Sequence, residues 1–296
     1  KLLAAARRAA IEAQDRVLVA RVDAAEARWH AAAGRLDEAL ALGREVLERL
    51  ADLPARRLEA GLRAEVAGWA SDRGSLDEAR ALHRQALGLA RQLDDLRLEA
   101  RILTWLGQLY HEQGRLELAW EHLTLAIEEQ ERVGDRRWAG ICRGQLGVIR
   151  AEQGELDEAL GLLDIALSAL EDAEDHRLEG CFQGWRAAVL ERTDRLDQAL
   201  EATRRALAAL DEADDPRLRG RIVARSALLL ARLGQNREAE RAVARACVLA
   251  RQIGDEPGLR GAEAVRDVLS GRSPGRPEGA GLAVRWVAGG HETAHI

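Results

Sequence analysis

The chain repeats itself every forty residues. Gly34, Gly74, Gly114, Gly154, Asp194 and Gly234 are each forty positions apart, and after them come GRLDEAL, GSLDEAR, GRLELAW, GELDEAL, DRLDQAL and GQNREAE. A fixed period of this size means that one short supersecondary unit is copied along the chain. Such a unit cannot bury its own apolar face, so the copies must stack on one another. The 296 residues would suit two ordinary domains by length, but the repeat makes them one elongated body.

Two alanine-rich columns give the unit its internal structure. Ala39, Ala79, Ala119, Ala159, Ala199 and Ala239 share one register, and Val46, Ala86, Ala126, Ala166, Ala206 and Ala246 lie seven residues later. Seven residues are two helical turns, so both columns share a helix face, and the small side chains mark where helices nearly touch. A second breaker recurs at Asp95, Asp135, Asp175, Asp215 and Asp255, with Pro54, Pro216 and Pro257 nearby. Aspartate there can accept from the unpaired N–H groups of a starting helix, and Pro216 suits a first turn. Each repeat is therefore a helix A, a Gly-centred turn and a helix B, for example about 95–112 with 116–133 and about 135–152 with 156–173. Asp37, Asp77, Glu117, Asp157 and Asp197 place negative charge in the first turn of helix B, where the macrodipole favours it. With one Phe and one Tyr, the core is built from Ala, Leu and Val. Ala favours helices over strands, so the repeat body should hold no strand.

The third repeat, with Leu106-Gly107, Tyr110, Gly114, Ala119, Leu123 and Ala126, resembles the tetratricopeptide signature. The small residue after the leucine recurs as Ala27, Ala67, Gly147, Ala187 and Ala227. The period is longer than the family's usual one and is similar to the forty-residue variant common in large bacterial signalling proteins. The resemblance implies an all-α fold, a right-handed α-α superhelix (TPR-like solenoid) of about six and a half helix pairs. It covers residues 1–270, with repeats at about 15–54, 55–94, 95–134, 135–174, 175–214 and 215–254 and a capping helix at 255–270. Residues 1–13 align with the end of a helix B. The pattern departs at Asp23 and Glu26, on usually apolar positions, and at Asn236 in place of leucine. Residues 271–281, GRSPGRPEGAG, read as a linker. Residues 282–296 read as a β-hairpin, the start of a truncated further domain, with Val284-Arg285-Trp286-Val287 as one strand and HETAHI as the other.

The charges exclude some functions. Net charge is −6 and the signs alternate along every helix, which disfavours phosphate-driven binding of nucleic acid by the repeats. A base-reading helical repeat would need asparagines, and Asn236 is the only one. No apolar run is long enough to span a membrane, and Arg7 and Arg8 interrupt the stretch that a signal peptide would need. Cys142, Cys181 and Cys247 are widely spaced within apolar helical patterns and read as core thiols of a reducing compartment. The expected location is cytoplasmic.

One motif carries chemistry on its face. His291-Glu292-Thr293-Ala294-His295 matches HExxH, which on a helix would set two imidazoles around zinc with Glu292 as general base. Gly289-Gly290 disfavours a helix entering it, and no third ligand follows, so no metal site and no catalytic residue are assigned. A fragment of a zinc metalloprotease is the alternative reading. His30, His83, His111, His122 and His176 show no ligand spacing within a helix, and Trp29, Trp69, Trp105, Trp120, Trp138 and Trp185 lie at helical positions that suit packing.

What remains is a surface. In the family the A helices line the concave side, and its exposed positions map here to Arg101, Thr104, Gln108, His111, Glu112, Glu152, Glu191, Arg192, Arg221 and Arg232, with Arg21, Arg28, Ser71 and Asp72 in the same columns. Small residues between them, Ala64, Gly68, Gly144, Gly184 and Ala224, would leave a roomy groove. The resemblance implies a scaffold that binds a protein or peptide ligand, serving as sensor or adaptor in a larger bacterial signalling or transcription-regulatory protein. No cofactor is expected.

Overall fold

The computed structural model describes residues 2–272, and these form fourteen α-helices. The tail expectations, the linker from 273 onward, the hairpin and HExxH, lie outside the described residues. By internal contacts the chain divides into two units, residues 2–135 and 136–272. The first holds α1 (Leu2–Glu12), α2 (Arg16–Ala32), α3 (Leu36–Leu50), α4 (Arg56–Asp72), α5 (Leu76–Gln92), α6 (Leu96–Glu112) and α7 (Leu116–Arg132). The second holds α8 (Arg136–Gln153), α9 (Leu156–Asp172), α10 (His176–Arg192), α11 (Leu196–Glu212), α12 (Pro216–Arg232), α13 (Asn236–Ile253) and α14 (Glu256–Leu269). Each unit is a tetratricopeptide-like stack. The even-numbered helices are the A helices and the odd-numbered ones the B helices.

Within each unit an A helix packs most extensively on the B helix that follows it, and next on the B helix that precedes it where the unit holds one. The alanine column explains how closely they approach. All six of its residues are fully buried. A Cβ placed on Gly107 would lie 3.3 Å from the Ala119 carbonyl oxygen, and one on Gly147 would lie 3.1 Å from that of Ala159. The backbones of A and B therefore meet where both side chains are smallest, and Leu, Val and Trp fill the space around them. In the first unit Leu47, Leu50, Leu62 and Trp69 surround this seam; in the second, Leu163, Leu170, Phe182 and Trp185 do. α14 closes the second unit by packing on both α12 and α13.

The helix starts follow the sequence. Asp15, Asp95, Asp175, Asp215 and Asp255 each accept a hydrogen bond from the backbone N–H three residues on, at 2.9 to 3.2 Å. Pro216 occupies the first turn of α12. The turns require left-handed backbone, which Gly34, Gly74, Gly114, Gly154 and Gly234 supply without a Cβ penalty. Asp194 adopts the same conformation at φ 60°.

The aspartate caps serve a second purpose, which only the structure reveals. In three of them the other carboxylate oxygen is gripped by an arginine from the preceding A helix: Arg57 to Asp95 at 2.8 Å, Arg137 to Asp175 at 2.9 Å and Arg177 to Asp215 at 3.1 Å. Arg57, Arg97, Arg137, Arg177 and Arg217 form a column, and its member in the first repeat is Val17, which faces an Ala55 register in place of aspartate. Donor and acceptor are lost together at that junction.

The departures in the first repeat also acquire a reason. Asp23 is 2% exposed and lies between Arg7 of α1 at 2.7 Å and Arg49 of α3 at 2.8 Å. A buried carboxylate is tolerable only when paired in this way, and the pairing fastens α1 to the first complete repeat. Trp29 departs from the expected packing role: it is 55% exposed, with the Arg35 guanidinium 4.2 Å above its ring.

Candidate functional site

The candidate residues lie on the A helices of both units, and they differ in what they do there. Thr104 is buried, 1% exposed, with its hydroxyl donating to the Ala100 carbonyl at 3.0 Å. This corrects the expectation that it faces a partner. In the second unit the members of its column, Gly144 and Gly184, lie against the next A helix.

The same packing removes the roomy groove. A Cβ on Gly144 of α8 would lie 2.6 Å from two ring carbons of Phe182 on α10, and one on Gly184 would lie 2.5 Å from Cδ1 of Ile222 on α12. Ala64 and Ala224 are 2% and 7% exposed. Gly144 and Gly184 are seats for the large side chain of the neighbouring A helix. From sequence, smallness at a helix position reads equally as close packing or as open space.

In the second unit the charged candidates hold the repeats together. Arg192 on α10 donates from Nη1 to the Ala151 carbonyl at the end of α8. Arg232 on α12 repeats the contact one repeat later, donating to the Glu191 carbonyl at 2.9 Å and to Asp194 at 2.7 Å. Glu191 itself is paired with Arg232 at 3.3 Å and Arg225 at 3.6 Å, and Arg221 lies 3.6 Å from Asp255. A guanidinium at a helix C-terminus meets the negative end of the macrodipole. These arginines are struts between successive A helices. Glu152 is half-buried at the equivalent edge of α8.

In the first unit the edge has different chemistry. Arg101, Gln108, His111 and Glu112 are half-buried on α6, and the Arg101 guanidinium lies 5.2 Å from the Trp105 ring centre. Glu112 accepts from Ser71 Oγ of α4 at 3.1 Å and from Gln108 at 3.4 Å. Asp72, next to Ser71, keeps solvent access, yet the surrounding protein removes enough water to push its carboxyl up to about 7. The negative charge of Glu112 adds to the effect. Arg28 and Glu65 pair at 2.8 Å on the neighbouring turns of α2 and α4.

Other features carry no comparable surface. An open hollow of about 460 Å³ between α4 and α5 is lined by Glu59, Arg63, Gln85 and Leu89. Burial works to raise the Glu59 carboxyl, but hydrogen bonds from Arg63 and Arg56 outweigh it and hold it low. Burial pushes the Cys181 thiol up to about 12, which keeps it protonated and inert. Among the described residues no group of His, Cys, Asp or Glu side chains is placed to hold a metal ion, and no helix is long and apolar enough to cross a membrane.

The comparisons with known proteins agree with this geometry. Residues 98–172, from α6 to α9, match the family model described as tetratricopeptide repeat. No curated protein sequence matches the chain. Among solved structures, BtubC from P. vanneervenii aligns at 20% identity and TM-score 0.62, covering 81% of this chain and 94% of that one. A Rap protein complexed with competence and sporulation factor aligns at 13% identity and TM-score 0.63, over 87% of this chain and 76% of that one. A signal transduction ATPase with numerous domains from Pyrococcus horikoshii, which has a tetratricopeptide repeat sensor, aligns at 13% identity and TM-score 0.70, over 96% of this chain and 43% of that one. At these identities the likeness is one of fold.

Proposed function

From its tetratricopeptide repeats we infer that this chain is an interaction scaffold that holds a protein or peptide against the edge of its A helices, the sensor or adaptor part of a larger bacterial signalling or transcription-regulatory protein. One observation carries the reading. In the second unit small-residue seats set how closely the A helices approach, and in the first unit α6 keeps half-buried polar side chains, Arg101, Gln108, His111 and Glu112, along its length. Rigid, pre-placed polar groups bind without the cost of ordering them. Two structural neighbours support the reading by their own descriptions, one as a Rap protein complexed with a competence and sporulation factor and one as a protein with a repeat sensor. The charges of the A helices are largely paired within the chain, so nucleic acid is not the partner proposed.

The test separates the edge from the outer surface. Arg101→Ala, Gln108→Ala and His111→Ala together should weaken capture of the partner tenfold or more in a titration with purified components, with helicity intact. Glu48→Ala, Glu128→Ala and Arg245→Ala, all exposed on B helices, should leave capture unchanged. Equal losses from the two sets would refute the assignment.

A further inference from the structure

The B helices share one outer pattern until α13 reverses it. Their first turns carry Asp37, Asp77, Glu117, Asp157 and Asp197, but the same register position of α13 is Arg237. An arginine there meets the positive end of the macrodipole, where an acidic residue is favoured. Arg241 and Arg245 follow at four-residue steps on the same face, and no earlier repeat has arginine at more than one of these three positions. Like charges at that spacing repel one another along a helix, so the stripe works against the folding of its own helix. All three arginines are exposed, and among the described residues none is engaged in an ion pair or a side-chain hydrogen bond, Glu238 and Glu240 beside them included. Arg251, further along α13, is by contrast matched by Glu263 at 3.5 Å. Val248 continues the stripe one turn past Arg245 and is 51% exposed.

The complement stands in the first unit, in the same columns. α7 has Glu117, Glu121 and Leu125 at the positions of Arg237, Arg241 and Arg245, and Glu128 at that of Val248. The three glutamates are exposed, and among the described residues none has an ion-pair partner. Leu125 is 39% exposed. On α3, α5 and α11 an acid of this face is matched within its own unit: Asp37 with Arg73 at 2.7 Å, Asp77 with Arg80 at 2.6 Å and Glu201 with Arg205 at 3.3 Å. Laid side by side in the same direction, α13 of one copy and α7 of another set Arg237 against Glu117 and Arg241 against Glu121, with Arg245 one turn from Glu128 and Val248 one turn from Leu125.

We propose that the arginine stripe of α13 docks on the glutamate stripe of α7 in a second copy of this chain. Charge complementarity selects the occupant, and the apolar residue in each stripe gives the contact surface to bury. Unlike faces meet, so each copy keeps one face of each sign for a further copy unless two copies pair reciprocally. One helix on another buries less than the roughly 1,200 Å² of a stable complex, so the association is transient and weakened by salt. It uses B helices alone and goes beyond the partner site on the A helices, which binds whether or not copies associate.

Sedimentation velocity of the full chain tests it at low salt, from about 5 to about 300 μM chain, the range in which so small a contact would saturate. The sedimentation coefficient should rise with concentration, and the rise should vanish at about 0.5 M salt, where the Debye length is under about 5 Å. Arg237→Glu with Arg241→Glu should weaken association at least tenfold while the melting temperature stays level or rises, because an acid returns to the first turn. Glu117→Arg with Glu121→Arg should weaken it equally; should that variant melt lower, Glu117→Gln with Glu121→Gln decides, with a loss of at least fivefold. Neither reversed chain should associate alone, yet a mixture of the two should, since each then offers what the other lacks. A chain that stays monomeric at low salt overturns the proposal, as does association indifferent to both reversals. Loss on the α13 reversal alone, with the α7 reversal silent, overturns α7 as the occupied face. Binding of a labelled random-sequence DNA duplex by a monomeric chain, abolished by Arg237→Glu with Arg241→Glu, would make the stripe a phosphate-binding face and overturn the proposal as well.

Discussion

Gly144→Ala separates two meanings of a small residue on the A helices. In the interior of a helix, alanine is better than glycine by about 1 kcal/mol. Where nothing opposes it, as at Gly61 of α4 or Gly161 of α9, whose added Cβ would meet no atom within 4 Å, the exchange should stabilise by about that much. At Gly144 the methyl would arrive 2.6 Å from both Cε atoms of Phe182, whereas carbon pairs are at their best near about 3.5 to 4.0 Å. Rotating the ring about its own axis leaves Cζ where it is, and Phe182 is fully buried, so α10 itself must retreat by about 1 Å. Overpacking of this kind costs about 1–3 kcal/mol, which exceeds the propensity gain, and the net effect should be a loss of about 1–2 kcal/mol. Urea unfolding followed by circular dichroism measures it against Gly161→Ala as the control. Adding Phe182→Leu should make Gly144→Ala less costly than it is alone, because the distal ring carbons are gone. If Gly144→Ala stabilises as much as Gly161→Ala, the seat assigned to Phe182 is wrong and the groove is open after all.

Three further outcomes follow from features described above. Glu174 holds a left-handed backbone at φ 55° and is exposed, so Glu174→Gly should stabilise by about 1 kcal/mol; no rise in unfolding midpoint would count against strain at that turn. Asp72 binds its proton more tightly folded than unfolded, so its contribution to stability falls as pH rises from its ordinary 3.8 through about 7 and is flat above. A sealed group would register about 4 kcal/mol, but solvent screening brings this to about 1 kcal/mol. Asp72→Asn should accordingly stabilise at pH 8 and be neutral near pH 4, and an equal effect at both would refute the assignment. Asp215 both caps α12 and receives Arg177: Asp215→Ala should cost about 2 kcal/mol, and Asp215→Asn, which keeps the cap, under about 1 kcal/mol. A double-mutant cycle with Arg177→Ala should return a coupling of about 0.5–1 kcal/mol; zero coupling would leave the cap alone.

The period and the alanine column made the helices legible, since both express backbone contact, which admits few residue types. α6 and α7 begin and end within a residue of where the repeat pattern puts them. The edge was legible as a set of positions, not as chemistry. Arg192 and Arg101 stand in related columns of the sequence, but only the partner atom decides their role: Arg192 reaches a carbonyl forty-one residues back, while Arg101 lies against Trp105 on its own helix. Gly144 and Gly184 misled for the reason that a missing side chain gives no direction; Phe182 and Ile222, the bulky residues thirty-eight positions further on, were the signal that could have shown the space to be taken. The arginine column at 57, 97, 137, 177 and 217 stood in the sequence equally plainly, and needed only to be matched with the cap column thirty-eight residues on.

The grip of Arg57, Arg137 and Arg177 on the caps that follow bears on how a chain of this kind can change its length. A duplicated block of forty residues carries both an arginine to hand forward and an aspartate to receive, so it can be spliced in at any junction that has them and leave every clasp closed. A block of another length would offer the arginine to the wrong turn. The junction between Val17 and Ala55 has neither half, and a copy of a later repeat inserted there would leave an arginine and an aspartate each facing an apolar neighbour. Growth and loss by whole repeats are thus cheap among the later repeats and penalised at that junction, which makes the later repeats an adjustable reach.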